Sequence, residues 1–418
     1  MPPSRKRKAP SSSDLLVPFQ QSLSAEAQQV FQTLARHASR HSLPLYLVGG
    51  ALRDLILRNP TKDLDLVVEG DAISLVSSAA GTLGIKPTIH HAFGTATIKA
   101  GSVQIDIATA RKETYARPGA LPTVSPSTIE DDLRRRDFTL NAMALGLAGP
   151  HHGHLLDPHQ GMYDLRQRLV RVLHDSSFHD DATRMFRAVR YEQRLDFQIE
   201  PQTKALISEA LDKNMLSTIS ADRLRNELEL MLAEASPGKM LQRTHDLGLL
   251  QALFPPLVRT PPITLIPEKS VPLVFIAALA YRLTANEAEA FIARINMTHP
   301  WAVAARQSAD LHSIEEKLSR PDLTRRDLWE LLEHRPLVCV KAAAAVAENP
   351  LAKDRLRQYI SLYQRMKPVL TGDDLLALGY APGPKVGQIL RRLQISRLEG
   401  KTNTKDDEVK LAKAWLAS

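Results

Sequence analysis

Strand-like patterns occur only in the first part of this 418-residue chain, and this restriction limits its possible folds more than any other feature. Alternating or β-branched runs predict strands at residues 45–48, 64–68, 96–99 and 103–107. Patterns with a helical period predict helices at residues 25–39, 52–57 and 71–81. Beyond about residue 130 the helical period continues almost without interruption, so the sequence predicts an α+β fold, a small mixed sheet followed by an all-α part.

The later helices and the parts of the chain are predicted as follows. Helices are expected at residues 129–148, 180–194, 203–211 and 220–234, with proline-containing connections near residues 255–272. The expected parts are a disordered basic arm at residues 1–20, a head at 21–150, a helical neck at 151–235, and a helical body and tail at 236–418.

Composition excludes several classes of protein. A hydrophobic content of 44% is typical of a globular protein. A net charge of +8 is compatible with a nucleic-acid partner. The single cysteine, Cys339, excludes an intrachain disulfide and is predicted to be a buried thiol. No apolar run reaches the about 18 residues of a membrane span, and no apolar segment follows the basic start as in a secretory signal. We therefore expect a cytoplasmic protein with no membrane partner.

Two glycines, Gly49 and Gly50, separate the first predicted strand from the helix that follows it. Glycines at such a turn let the backbone pass close to a ligand, and the first N–H groups of a helix can bind phosphate. The segment matches neither a P-loop nor the full dinucleotide-binding fingerprint. A tight turn without a ligand would use the same residues.

Asp63 and Asp65 stand at alternate positions of the second predicted strand. Residues two apart on a strand face the same side, about 6–7 Å apart at Cα, so their carboxylates repel each other. A pair of Mg²⁺ ions would remove this conflict, because carboxylate oxygens are ligands that Mg²⁺ prefers. Asp106, in the strand predicted at residues 103–107, is a candidate third carboxylate. The alternative is an exposed strand face beside Lys62.

Two short segments together resemble a family signature: GGALRD at residues 49–54 and DLD at residues 63–65. The signature is similar to that of the polymerase-β-like nucleotidyltransferases. Within them it resembles the bacterial-type (class II) tRNA CCA-adding enzymes and their relatives, the A-adding enzymes and bacterial poly(A) polymerases. The resemblance implies a polymerase-β-like head followed by an all-α neck, body and tail.

The resemblance also implies roles for residues of these segments. Asp63, Asp65 and Asp106 would be the catalytic carboxylates, and Asp63 and Asp65 would hold two Mg²⁺ ions. The residues implied in nucleotide binding are Gly49, Gly50, Arg53 and Asp54.

A third segment, LRRRDFTLNA at residues 133–142, is similar to the family motif RRDFTxNA, which is associated there with ribose and triphosphate. Arginines pair with phosphate oxygens in bidentate fashion, and an asparagine can bond ribose hydroxyls. The residues implied in nucleotide binding are Arg135, Arg136, Asp137 and Asn141. For the arginines alone, a solvated helix face is the alternative.

A fourth segment, DDATRMFR at residues 180–187, resembles the family's base-reading motif Glu-Asp-x-x-Arg. Asp181 and Arg184 are three residues apart and are expected on one helical face. Cytosine and adenine each present an amino group beside an acceptor nitrogen, and one carboxylate and one guanidinium can match these two groups. The same pair does not match uracil or guanine. The resemblance implies that Asp181, Arg184 and Arg187 bind the nucleotide. The alternative for Asp181 and Arg184 is an intrahelical ion pair. The segment departs from the family motif at its first position, where Asp180 stands in place of the usual Glu.

Residues 111–127 lie between the third candidate carboxylate and the arginine motif, and their prolines predict a loop rather than a helix or strand. They resemble the flexible loop that family members need for adding A. The implied function is template-independent addition of the 3′-terminal CCA to tRNA from CTP and ATP with two Mg²⁺ ions. The implied partners are nucleoside triphosphates and the tRNA acceptor end, with residues 151–418 binding RNA and no protein partner.

Several alternatives stay open at this point. Addition of A alone or synthesis of poly(A) would use the same motifs, although no strongly basic extension follows the helical tail. His-Asp pairs at residues 174–175, 179–180 and 245–246 allow a metal-dependent phosphohydrolase. His151, His152 and His154 allow a transition-metal site. A non-catalytic helical RNA-binding protein is the alternative outside enzymes.

Overall fold

The chain is described as a computed structural model over residues 15–60, 63–91, 94–114, 116–117, 119–120, 122–363 and 366–417. It divides into two compact units, one ending at Ile219 and the other beginning at Ser220. Residues 1–14 of the predicted arm lie outside the described residues. Residues 15–20 are not part of a disordered arm, because Leu15 and Phe19 are buried and the Phe19 ring packs edge-on against Phe31 at 5.1 Å.

The strands all belong to the first unit. In chain order they are β1 (Leu45–Val48), β2 (Asp63–Val68), β3 (Thr88–His90), β4 (Thr95–Ala100), β5 (Val103–Thr109), β6 (Arg111–Thr114), β7 (Thr123–Pro126), β8 (Ala144–Ala148), β9 (Leu155–Leu156), β10 (Leu169–Val170) and β11 (Gln198–Ile199). Seven of them form one sheet in the order β3-β4-β5-β2-β1-β8-β9, in which β2 and β5 are parallel and the other neighbours antiparallel. The small mixed sheet expected for the head is thus confirmed.

Helices flank this sheet and make up the second unit. Those of the first unit are α1 (Leu16–Ser22), α2 (Ala25–Arg40), α3 (Gly49–Leu57), α4 (Ala72–Leu83), α5 (Ile129–Arg134), α6 (Gly161–Gln167), α7 (Ser177–Asp180), α8 (Arg184–Leu195) and α9 (Pro201–Asp212). Those of the second are α10 (Ala221–Leu232), α11 (Pro237–Asp246), α12 (Leu249–Leu253), α13 (Pro272–Ala280), α14 (Ala285–Arg294), α15 (His299–Ser313), α16 (Glu315–Leu318), α17 (Arg325–Leu332), α18 (Leu337–Val346), α19 (Pro350–Tyr363), α20 (Gly372–Ala377), α21 (Pro384–Leu398) and α22 (Lys405–Ala417). Short 3₁₀ helices occur at Thr139–Asn141, Met215–Thr218, Pro255–Arg259 and Ile263–Leu265.

The two faces of the sheet are covered differently. Helices α2 and α4 pack against each other and against β4. On β2, Val67 is buried in a cluster with Ile129 and Leu133 of α5. Asp65 lies two residues before Val67 and therefore faces the same side, at the point where α5 no longer covers the sheet. The C-terminal end of α5 and the open part of β2 thus meet on one face.

The helix predicted at residues 129–148 is wrong beyond its first turns. Helix α5 ends at Arg134, and Ala144–Ala148 form strand β8, which is buried along its length and pairs with β1. A short, continuously apolar run is compatible with either a buried helix or a buried strand, and pairing with β1 decides between them. The expectation of almost no strand after residue 130 is corrected accordingly.

The second unit is helical, as predicted, throughout the residues in which it is described. Cys339 is buried in α18, and burial raises the pKa of its thiol to about 12, so the prediction of a buried thiol is confirmed. None of the described helices combines the length and the apolar character needed to cross a membrane.

Candidate active site

Strand β1 runs directly into helix α3 at Gly49, whose φ of +66° lies in the left-handed region. A Cβ atom at Gly49 would lie 2.9 Å from Nη1 of Arg136 and 3.4 Å from Oδ2 of Asp65. Glycine adopts this backbone angle without strain, and any larger residue would require the end of the Arg136 side chain to shift. The glycine turn therefore brings the backbone against a carboxylate and a guanidinium that the sequence assigned to one site.

The three predicted carboxylates lie on neighbouring strands. On β2, Leu64 and Leu66 are buried, whereas Asp63 and Asp65 are on the exposed face. Asp65 is directly opposite Asp106 in the parallel pairing of β2 with β5. Residues in register on adjacent strands face the same side of a sheet, so Asp106 lies beside Asp65.

The repulsion expected between these acids is present. The Asp65 side chain reaches solvent at its outer edge, but protein atoms crowd it, and this desolvation raises its pKa. The charges of Asp106 and Asp63 raise that pKa further, against the opposing effect of Arg136 and Arg53. A bound cation would stabilise the charged form of Asp65.

Both carboxylate oxygens of Asp106 accept hydrogen bonds from side chains of the sheet. Its Oδ1 accepts from the Thr97 hydroxyl at 2.5 Å, and its Oδ2 accepts from Nε2 of Gln104 at 2.8 Å. Both oxygens are therefore held by neighbouring strand residues. Asp106 adds negative charge next to Asp65, and its role as a catalytic carboxylate remains a prediction.

The donor set fits Mg²⁺. Within the described residues, no group of three or more His, Cys, Asp or Glu side chains is arranged to hold a metal ion by itself. In phosphate-transfer sites Mg²⁺ is usually held by one or two carboxylates, with water and substrate phosphates completing its shell. Asp63 and Asp65 offer two hard ligands on an open strand face. Because the described residues contain no such group of three side chains, a transition-metal site at the histidines of residues 151–154 also has no support.

Two arginines at the end of α5 share one buried carboxylate. Asp132 has no exposed surface, and its Oδ1 accepts from Nε and Nη2 of Arg135 at 3.0 and 2.7 Å. Its Oδ2 accepts from Nε and Nη2 of Arg136 at 3.2 and 2.9 Å. The sequence analysis did not single out Asp132, although its position three and four residues before the two arginines is a recognisable signal.

Five of the predicted nucleotide-binding residues form one chain of hydrogen bonds. The nearly buried Arg53 donates Nε and Nη2 to Asp54 at 3.0 and 2.8 Å, and Nη1 to Oδ1 of Asn141 at 2.8 Å. Asn141 donates Nδ2 to Oδ1 of Asp137 at 3.0 Å, and Arg187 donates Nε and Nη2 to Oδ2 of Asp137 at 2.9 and 2.5 Å. The structure therefore unites three of the motifs found in sequence.

Asp137 is charged inside this network. Burial by itself raises the pKa of Asp137, but Arg187 and the hydrogen bonds from Asn141 and Arg187 outweigh it and hold the pKa at about 2. The guanidinium carbons of Arg53, Arg187 and Arg190 lie 5.3, 5.8 and 5.8 Å from the ring centre of Tyr191. Tyr191, which the sequence analysis also missed, thus provides an aromatic surface for three cations.

The base-reading segment, residues 180–187, does not form the continuous helix that was predicted. Asp181 is extended, with φ −147° and ψ 100°, because it lies in the break between α7 and α8. Its Oδ1 accepts from the amide and hydroxyl of Thr183 at 3.0 and 2.7 Å. The prediction that Asp181 and Arg184 share one helical face is therefore wrong.

Arg184 connects this segment to the arginine pair. It is buried, donates Nη1 to the Ser177 hydroxyl at 2.7 Å, and donates Nη2 to the carbonyl of Arg135 at 3.0 Å. The base-reading segment is therefore placed next to the arginines that follow α5. Base reading by Asp181 and Arg184 stays a prediction.

The segment predicted as a loop at residues 111–127 contains an antiparallel pair of strands, β6 and β7. Prolines are tolerated at strand ends, and Pro126 occupies the last position of β7. The nearly buried Glu113 on β6 accepts from Nη2 of Arg111 at 3.2 Å and from Nη1 of Arg135 at 3.1 Å. The β6–β7 hairpin is therefore tied to the same arginine pair.

Known families and relatives match almost the whole chain. Residues 45–171 match the Poly A polymerase head domain, and residues 196–259 match the family described as "Probable RNA and SrmB- binding site of polymerase A". The A-adding tRNA nucleotidyltransferase of Halalkalibacterium halodurans is 33% identical over 97% of this chain and 96% of its own. The chain belongs to the tRNA nucleotidyltransferase family.

Other members of the family differ in the nucleotides they add. The CC-adding tRNA nucleotidyltransferase of Deinococcus radiodurans is 33% identical over 90% of each chain. The A-adding enzyme of Geobacter sulfurreducens is 34% identical over 92% of this chain, which spans 46% of that longer relative. The Thermotoga maritima CCA-adding enzyme complexed with tRNA has a TM-score of 0.77 at 27% identity, over 97% of this chain and 99% of the other. Membership of the tRNA nucleotidyltransferases disfavours the phosphohydrolase and the non-catalytic RNA-binding protein.

Proposed function

We propose that this tRNA nucleotidyltransferase completes the 3′-terminal CCA of tRNA from CTP and ATP, without a nucleic-acid template. The observation that carries the proposal is the meeting of Gly49, Asp65 and Arg136 on the open face of the sheet, with Asp106 beside Asp65. This arrangement supports the proposal, because the carboxylates would accept a metal ion and the guanidinium of Arg136 would donate to phosphate oxygens close by.

In the proposed reaction, the 3′-oxygen of the RNA forms a bond to the α-phosphorus of the nucleotide while the bond from that phosphorus to the leaving pyrophosphate breaks. When bound, two Mg²⁺ ions supply positive charge at the attacking oxygen and at the triphosphate. Asp63 and Asp65 would hold them. Arg136 donates to phosphate oxygens beside Gly49, and the first N–H groups of α3 face the same phosphates.

The remaining site residues would orient the nucleotide. Asn141, which is held between Arg53 and Asp137, would bond ribose hydroxyls. Asp181 and Arg184 would read the amino group and acceptor nitrogen that adenine and cytosine share. Binding of the tRNA acceptor end and of the rest of the tRNA by residues 151–418 completes the proposal, and the tRNA complex of the T. maritima enzyme supports it.

Addition of A alone is a second candidate function. The A-adding relative from H. halodurans is 33% identical to this chain, compared with 27% for the CCA-adding enzyme of T. maritima. The CC-adding relative from D. radiodurans is also 33% identical, so identity does not separate addition of A from addition of CC. The resemblance of residues 111–127 to the loop needed for adding A favours a function that includes A.

Three tRNA transcripts decide between these functions. They end at the discriminator base, at C and at CC, and each is incubated with Mg²⁺ and CTP, ATP or both. Extension of all three to CCA is expected. Extension of only the CC-ended transcript, by one A, would establish the second candidate. Long tails on an arbitrary RNA without extension of any transcript would contradict both and favour a poly(A) polymerase.

A further inference from the structure

Asp132 is a fully buried carboxylate with four hydrogen bonds from two adjacent arginines. Each guanidinium of Arg135 and Arg136 donates two of its N–H groups to one carboxylate oxygen, and two such bonds fix the plane of the group. The pKa of Asp132 is lowered: burial raises it, but the charges of Arg136 and Arg135 outweigh burial. Asp132 is therefore a permanent anion at neutral pH.

The Nη1 atoms of the two arginines, which do not bond Asp132, lie against different parts of the site. Nη1 of Arg136 lies against the turn at Gly49, beside Asp65. Nη1 of Arg135 bonds Glu113 on the β6–β7 hairpin, and the carbonyl of Arg135 accepts from Arg184. The two arginines that Asp132 holds thus lie next to the strand carboxylates, the hairpin and the base-reading segment.

We propose that Asp132 is a positioning residue for the nucleotide triphosphate: it holds Arg135 and Arg136 as one oriented pair that meets the phosphates of the incoming nucleotide. The inference rests on the proposed function and names the residue that arranges its phosphate contacts. Two adjacent guanidinium groups without this carboxylate would repel each other and occupy many rotamers. A flexible, self-repelling pair binds phosphate less well than an oriented one.

The test measures equilibrium binding of MgATP and of adenosine to the full chain and to Asp132→Asn, together with binding of CC-ended tRNA. An asparagine keeps the size of the side chain but can accept from only one arginine, and its amide N–H groups face the other. We expect ATP affinity to fall by about tenfold or more, the scale of a lost charge-assisted hydrogen bond. Adenosine has no phosphate, so its affinity should stay near the original value. The affinity for tRNA should also stay near its original value, because the arginine pair is proposed to meet the phosphates of the incoming nucleotide and not those of the RNA.

Asp131→Asn is the matched control. Asp131 is the neighbouring acid on α5 and is partly exposed, and its side chain contacts Ser127 and Arg134 rather than the arginine pair. This variant should keep the original ratio of ATP to adenosine affinity. If Asp132→Asn does not fold, Asp132→Glu replaces it: it keeps the charge and moves both guanidinium groups by one methylene, so the same ratio should fall.

The outcomes separate this inference from the proposed function. A folded Asp132 variant that keeps the original ratio, or loses ATP and adenosine affinity equally, would show that Asp132 only stabilises α5 and would overturn the inference. If the original chain binds ATP in this way but extends no tRNA, the proposed function fails instead. A lower ratio of ATP to adenosine affinity in the Asp132 variant, together with extension of tRNA by the original chain, supports both the inference and the proposed function.

Discussion

At the scale of single residues, the site consists of charges that are balanced by one another along hydrogen bonds. Asp132 orients two arginines, and Asp137 lies between Asn141 and Arg187. Asp65 is the exception, because neighbouring acids and desolvation raise its pKa. The carboxylate whose pKa is raised by desolvation and by neighbouring acids is therefore one of the two that the sequence predicts as metal ligands.

Gly49→Ala tests the close approach at the turn. We expect nucleotide addition to fall by about tenfold or more, because the added methyl would have to displace Arg136 from beside Asp65. The matched control is Gly84→Ala: Gly84 has the same φ of +66°, but no neighbouring atom lies within 4 Å of its Cβ position. Melting temperatures should show a similar loss of stability in both variants. Rates of AMP incorporation should fall only in Gly49→Ala. Equal rates in both variants would contradict this reading of the turn.

Asp181→Ala and Arg184→Ala test the proposed base reading. If these side chains contact the edge of the base, both variants should discriminate less against UTP and GTP, because a mismatched buried polar group costs about 1–3 kcal/mol. The measurement is the ratio of kcat/KM across the four nucleoside triphosphates. A uniform loss with unchanged ratios would mean that the two residues only support the fold around the break between α7 and α8.

At the scale of elements, the β6–β7 hairpin belongs to the segment that resembles the loop needed for adding A. It contacts Arg135 through Glu113, which also accepts from Arg111. A hairpin fixed in this way can move the arginines relative to the nucleotide when its anchor changes. The hairpin should therefore affect the addition of A more than the addition of C.

Glu113→Gln tests this role of the hairpin. Removing the charge weakens both bonds to Glu113, each worth about 1.5–3 kcal/mol when charged groups are involved, so A addition to CC-ended tRNA should fall by about tenfold. Addition of C to tRNA ending at the discriminator base should change less. Lys112→Gln, an exposed neighbour on β6, is the control and should leave both rates unchanged. Equal losses for A and C would show that the hairpin has no step-specific role.

The elements also show what sequence patterns can and cannot predict. The alternation on β2 predicted which side of the strand carries Asp63 and Asp65, because burial of Leu64 and Leu66 fixes the register. The apolar run of β8 was mistaken for helix, since only its pairing with β1 distinguishes the two. Spacing alone placed Asp181 on a helix, but the chain leaves the helical conformation there. Long-range contacts such as that of Glu113 with Arg135 are invisible to local patterns until the fold brings the two residues together.

At the scale of the whole molecule, the contacts among the predicted site residues lie within the first unit, which ends at Ile219. The predicted boundaries between head, neck and body at residues 150 and 235 remain predictions, as does RNA binding by the helices that follow the head. A net charge of +8 is consistent with a polyanionic partner. If the helices that follow the head bind the RNA, removing a single carboxylate of the head should abolish nucleotide addition and leave RNA binding in place.

The most direct test of nucleotidyl transfer at this site compares the original chain with Asp65→Ala. Both are given CC-ended tRNA, Mg²⁺ and labelled ATP, and both are assayed for tRNA affinity. The account predicts one AMP added by the original chain, a rate lower by about 10²-fold or more in the variant, and nearly equal tRNA affinity, because Asp65 would act on the metal and not on the RNA. Near-original activity of Asp65→Ala would contradict the assignment of the site.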